Sequence, residues 1–121
     1  MKSVVGLRGA IQVERDEPEL IHLAVAALLT EMMTANELAV EDFISVLFTA
    51  TPDLVSEFPA VGARSIGFGA VPLICASEIA VPGAMPRVIR VLAHVESAQP
   101  RSAAKHIYLT GAVALRKDLA Q

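Results

Sequence analysis

The chain is predicted to be an α+β (mixed α/β) protein of five strands and two helices. Three features lead there. Several segments alternate apolar and polar residues with the period of two that a strand imposes, one long segment repeats apolar residues at helical spacing, and proline- and glycine-bearing turns separate them. The 121 residues fit one domain, 1–121, with no repeat and no internal linker.

The first strand is expected over 4–13. Val5, Leu7, Gly9, Ile11 and Val13 share one face, and Val4, Gly6, Arg8, Ala10 and Gln12 the other, so Arg8 projects away from the apolar side. Asp16 followed by Glu19 resembles a capping box with Pro18 in the first turn, and a helix is expected over 20–35 with the stripe Ile21, Val25, Leu28, Leu29, Met32. Asn36 suits its stop. A helical turn over 40–42 leads into a buried strand over 43–50, ended by Thr51-Pro52-Asp53. Residues 58–67 are expected as a short second helix, because Pro59 suits a first turn and Gly67 a terminus.

A third strand is expected over 71–76, then a turn at Pro82, Gly83 and Pro86. In the fourth, over 87–96, Ile89, Val91, Ala93 and Val95 are all apolar, which leaves Arg90 on the more polar face. A loop or helical turn begins at Gln99-Pro100-Arg101-Ser102. The fifth strand is expected over 106–116, with Ile107, Leu109, Val113 and Leu115 on one face and Tyr108, Thr110 and Arg116 on the other; 117–121 are a short polar tail.

Glu78 and Arg90 lie in apolar surroundings, Val71-Pro72-Leu73-Ile74-Cys75-Ala76-Ser77-Glu78-Ile79-Ala80-Val81-Pro82 and Val88-Ile89-Arg90-Val91-Leu92-Ala93. Charges so placed are seldom buried unless paired or bound to something. Arg8 and Arg116 sit in similar settings. Taken singly, each arginine reads more readily as a solvated strand residue than as a ligand. Together, with Tyr108, they suggest a guanidinium-rich site for a small anion.

Composition narrows the function classes. Hydrophobic residues make up 54% and charged ones 19%, with mean hydropathy +0.54, which is apolar for a monomer of this size and points to an oligomer or a membrane protein. The longest nearly uncharged stretch, 65–86, is broken by Gly67, Gly69, Pro72, Pro82, Gly83 and Pro86 and cannot run as one spanning helix. The N-terminus lacks the apolar core of a signal peptide. A soluble cytoplasmic oligomer with no membrane partner is therefore expected. Net charge −3, no basic run and 4% aromatics argue against nucleic-acid binding. One cysteine excludes an internal disulfide or a multi-thiolate metal site, and His22, His94 and His106 have no metal-ligand spacing, so no metal is expected.

The segments Gly6-Leu7-Arg8-Gly9-Ala10, Val13-Glu14-Arg15-Asp16, Ala50-Thr51-Pro52-Asp53-Leu54, Phe58-Pro59-Ala60, Val71-Pro72-Leu73-Ile74-Cys75-Ala76-Ser77-Glu78, Ile89-Arg90-Val91, Ile107-Tyr108-Leu109 and Leu115-Arg116 before Asp118-Leu119 occur in an order and spacing that resembles the monofunctional chorismate mutases of the trimeric, pseudo-α/β-barrel class. The resemblance spans nearly the whole chain. It implies a five-stranded mixed sheet with both helices packed on one side, and a homotrimer with an active site at each subunit interface. It also implies the Claisen rearrangement of chorismate to prephenate, on the route to phenylalanine and tyrosine, without a cofactor.

Roles follow by the same resemblance. Arg90 is expected at the ether oxygen and a carboxylate, Arg8 and Tyr108 at a carboxylate, and Glu78 at the ring hydroxyl with Cys75 nearby. Phe58, Ala60, Leu73, Ile74 and Leu115 are expected to wall the pocket, and Arg64 and Arg116 to steer and cover the dianion. Arg90, Glu78 and Arg8 are the expected catalytic set. Three departures stand out: Val61 where members often carry lysine, a shorter Gly67-Phe68-Gly69-Ala70 connection, and a brief tail. Two other classes share such features, an imine/enamine deaminase on a similar trimer and a non-catalytic module that binds a small carboxylate.

Overall fold

Among the described residues, hydrogen bonding yields five strands: β1 Ser3–Gln12, β2 Phe43–Ala50, β3 Leu73–Ser77, β4 Val88–Ser97 and β5 Ile107–Leu109. Three helices, α1 Pro18–Ala35, α2 Pro59–Arg64 and α3 Val113–Asp118, accompany them, with single 3-10 turns at Val40–Asp42, Phe68–Ala70, Arg101–Ala103 and Thr110–Ala112. The computed structural model describes residues 1–118, with side chains to Leu115.

The strands form one mixed sheet in the order β3-β2-β4-β1-β5. The β1–β4 and β2–β4 pairs are antiparallel, and the two edge strands run parallel to their neighbours. α1 and α2 cover one face, where Leu7, Ile11, Val46, Phe48, Ile89, Val91 and Val95 meet Ile21, Val25, Leu28, Leu29 and Met32 in a dry core. Each strand supplies this core with alternate residues, so the remaining residues stand on the opposite face, which α1 and α2 leave uncovered and where Ala112 and Leu115 pack on Ala10, Val88 and Tyr108 at one end. α1 has the length and composition of a spanning helix, but its apolar stripe is fully buried on the sheet.

Two glycines set how closely the layers approach. A Cβ on Gly9 would lie 2.7 Å from Met32 Sδ, and one on Gly62 would lie 2.9 Å from Val25 Cβ and 3.0 Å from the His22 carbonyl. The second obstacle includes rigid α1 backbone. Gly62→Ala is therefore expected to destabilise the protein by about 1–3 kcal/mol despite alanine's higher helix propensity. Thermal unfolding reads this directly; an unchanged or higher Tm would show that α1 and α2 separate without cost.

Several expectations need correction. The fifth strand does not run over 106–116. After Leu109 the chain leaves the sheet, because Thr110 adopts φ +53° and its hydroxyl accepts the Gln12 N–H at 2.9 Å. Val113-Ala114-Leu115 then begins α3, so Leu115 and Arg116 lie on a helix. Asp16 caps no helix: α1 begins at Pro18 after Glu17, with no side-chain cap. The Asp16 carboxylate instead accepts the N–H groups of Val55 and Ser56; the Ser56 side chain most of all, and then these N–H groups, hold its pKa below the usual carboxylate value. The second helix is shorter than 58–67, and Gly67 ends its trailing turn at φ 103°. β3 and β4 start and end slightly later than expected. Pro72 precedes β3 and offers its carbonyl to Val46 N–H at 3.0 Å. Asn36 does stop α1. Its side-chain amide donates to Met32 O and Lys105 O, and its Oδ1 accepts the Lys105 N–H, tying the helix end to the segment entering β5. Residues 119–121 of the expected tail lie outside the described residues.

Candidate active site

The uncovered face of the sheet carries the polar site. Across it the register aligns Thr49 with Arg90, Arg90 with Ala10, and Ala10 with Tyr108. Two residues further along, Leu47 pairs with Leu92 and Leu92 with Arg8. Since residues i and i+2 share a face, this double row brings Arg8, Thr49, Arg90 and Tyr108 around one concavity of about 300 Å³, with Ala10 between the larger side chains. Tyr108 is mostly buried, its body in a small cluster with Ala10, Val88 and Ala112, against which Leu115 packs.

Glu78 reaches this row from just beyond β3, where its N–H donates to the Ala50 carbonyl at 2.9 Å. Its Oε2 accepts the Thr49 hydroxyl at 2.6 Å and lies 3.0 Å from Arg90 Nε. The Nε–H is not aimed at that oxygen, so the contact is ionic and leaves a buried donor without a hydrogen-bond acceptor among the described residues. The Glu78 side chain is 17% exposed and that of Arg90 42%, so the carboxylate is held in while much of the arginine stays accessible. The pairing answers the difficulty these two charges posed in the sequence. A neighbouring hollow of about 250 Å³, lined by Glu78, Arg90 and the loop carrying Ile79 and Val81, adjoins the pair.

The other expected residues lie elsewhere in the subunit. Phe58, 69% exposed, and Cys75 line a separate depression of about 490 Å³ with Val55, Glu57 and Ser77. Ile74 is 65% exposed and Leu73 half-buried; neither borders a concavity holding Arg90. Ala60 is buried in the core and presents no side-chain surface to a ligand here. Arg64 is exposed on α2. Arg116 falls on α3, and its side chain lies outside the described residues. Among the described residues, no cluster of His, Cys, Asp or Glu has a metal-holding arrangement.

Two residues were missed from sequence. Thr49 is hidden by the apolar run of 43–50, which reads as a buried strand; Val46 and Phe48 point inward while Leu47 and Thr49 line the concavity. His106 accepts the Arg8 N–H through Nδ1 at 3.0 Å, a pairing across 98 positions that no local pattern announces.

A family model described as chorismate mutase type I matches residues 4–119. The chain belongs to the type I chorismate mutases. It is 51% identical over 117 residues to the chorismate mutase AroH of Thermus thermophilus, covering 96% of each chain. Its identity to the Bacillus subtilis chorismate mutase AroH is 39% over 115 residues, covering 94% of this chain and 91% of that one. The solved chorismate mutase from Clostridium thermocellum superposes with a TM-score of 0.88 at 39% identity, covering 90% of this chain and 97% of that one. Membership in this family sets aside the deaminase and the non-catalytic module, and the mixed sheet with α1 and α2 on one side agrees with the expected chorismate mutase fold.

Proposed function

We propose that in this chorismate mutase the concavity formed by Arg8, Arg90 and Tyr108 holds chorismate. The observation that carries the reading is their convergence. Three neighbouring strands bring two guanidinium groups and a phenol to one hollow on the uncovered face, with a glutamate ion-paired at its edge.

The rearrangement of chorismate to prephenate is unimolecular and needs neither nucleophile nor proton transfer. A catalyst must hold the compact conformer and stabilise charge that builds on the ether oxygen as the C–O bond breaks. Arg90 takes the ether oxygen and a carboxylate, since its fork contacts two acceptors at once. Arg8 and Tyr108 hold a carboxylate. Glu78 accepts from the ring hydroxyl, its Oε2 already occupied by Thr49 and Arg90.

The assembly belongs to the same proposal. Val4 and Leu92 are exposed on the face that carries the arginines, and Ile44, Ile74 and Phe58 are exposed as well. A soluble, cytoplasmic homotrimer covers this apolar surface, brings Phe58, Ile74, Leu73 and Cys75 of one subunit toward Arg90 of the next, and adds Leu115, Arg64 and Arg116 around the site. The whole chain, 1–121, acts as one domain. Purified protein should convert chorismate to prephenate far faster than buffer, without added metal and equally well in EDTA, and should sediment as a trimer. Background-level turnover by the assembled protein, or an active monomer, would contradict the proposal.

Thr49→Val keeps the shape and removes the hydroxyl that holds Glu78. It is expected to lower kcat/KM about tenfold, with Thr49→Ser recovering most of the loss. Steady-state kinetics decide; native values for the valine variant would mean that Glu78 needs no such support.

A further inference from the structure

β5 pairs with β1 over only three residues, from Gly9–Ile107 to Ile11–Leu109. Side chains close both ends of this short parallel ladder. At one end Thr110 Oγ1 accepts the Gln12 N–H and donates to the Gln12 carbonyl, at 2.9 and 2.7 Å. At the other, the Arg8 N–H donates to His106 Nδ1 at 3.0 Å. An edge strand with so few main-chain rungs depends heavily on each added one. The His106 rung also joins the two strands that carry Arg8 and Tyr108, which line the same concavity.

We propose that His106 is a positioning residue for substrate binding: its unprotonated Nδ1 pins the Arg8 main chain to β5 and so sets the spacing between the Arg8 guanidinium and Tyr108. The ring touches no substrate in this role. Burial first, and the Arg8 charge second, push its pKa below the ordinary histidine value, which favours the neutral ring. With Nδ1 accepting, Nε2 carries the hydrogen. The role extends to neither bond making nor the ether oxygen, so it should register in affinity before turnover.

This role rests on Arg8 acting as a carboxylate anchor, so the test carries Arg8→Ala beside the histidine variants. Chorismate KM, kcat and Tm are measured on the full chain. His106→Ala is expected to raise KM about tenfold with a much smaller change in kcat. His106→Asn should restore most of the affinity, because its Oδ1 occupies the place of Nδ1, while His106→Gln, whose carbonyl lies one bond further out, should not. In an Arg8→Ala background, His106→Ala should add little to KM. A native KM for His106→Ala beside a raised KM for Arg8→Ala would overturn the positioning role and leave the anchor intact. Native KM in both would overturn the anchor and the role with it. The Asn and Gln variants decide even if the alanine variant is unstable: equal impairment of the two would show that no acceptor at the Nδ1 place matters.

Discussion

Arg90→Ala is expected to lower kcat by about two to three orders of magnitude or more while the fold persists, the scale seen when a single oxyanion donor is removed elsewhere. Among the described residues, Arg90 is the one that combines a position on the concavity with a cation whose Nε is already desolvated and lacks a hydrogen-bond acceptor. A fixed charge in such a place acts most strongly on an oxygen that gains electron density as its bond breaks. Removing it also strands the Glu78 carboxylate, which is largely shielded from water, so some loss of local order should accompany the rate loss. Arg90→Lys should recover only part of the rate, because an ammonium cannot serve the ether oxygen and a carboxylate in one plane. Near-native kcat for the alanine variant would remove Arg90 from the transition state, and full recovery by lysine would show that a point charge is enough.

Glu78→Ala is expected to lower kcat and raise KM together, for a combined loss in kcat/KM of about 10–150-fold, the equivalent of one hydrogen bond to a charged group. Two effects combine. The ring hydroxyl loses its acceptor, and Arg90 loses the carboxylate 3.0 Å from its Nε. Glu78→Gln separates them, because it keeps an acceptor for the hydroxyl but not the charge that anchors Arg90. Its kcat should therefore suffer more than its KM. If kcat/KM of the alanine variant matched the native enzyme, Glu78 would have no part in binding or in holding Arg90.

Much of this architecture was legible in the sequence. The alternation in 4–13 and 87–96 put Arg8 and Arg90 on the faces they occupy, and the stripe from Ile21 to Met32 found the core face of α1. The failures have nonlocal causes. Val113-Ala114-Leu115 fits a strand as well as a helix; what turns the chain at Thr110 is its positive φ and its bonds to Gln12, nearly a hundred residues earlier. Asp16 looked like a cap because capping is a local pattern, whereas its real partners, Val55 and Ser56, arrive from another part of the fold. The convergence of Arg8, Arg90 and Tyr108 depends on β4, β1 and β5 lying side by side. Periodicity gives faces but not strand order, so the residues alone suggest a guanidinium-rich site, while the part each one plays in it comes only through the family resemblance. Phe58 and Cys75 remain apart from the arginines within one subunit, which is why the roles proposed for them depend on the proposed trimer.

The most direct test of the central claim is a crystal structure of the assembled enzyme with a bicyclic dicarboxylate analogue of the transition state. The expected complex has an Arg90 nitrogen about 2.7–3.1 Å from the ether oxygen, with Arg8 and Tyr108 on a carboxylate and Phe58 from a neighbouring subunit closing the site. An analogue seated in the Phe58–Cys75 depression with no contact to Arg90 would contradict the account.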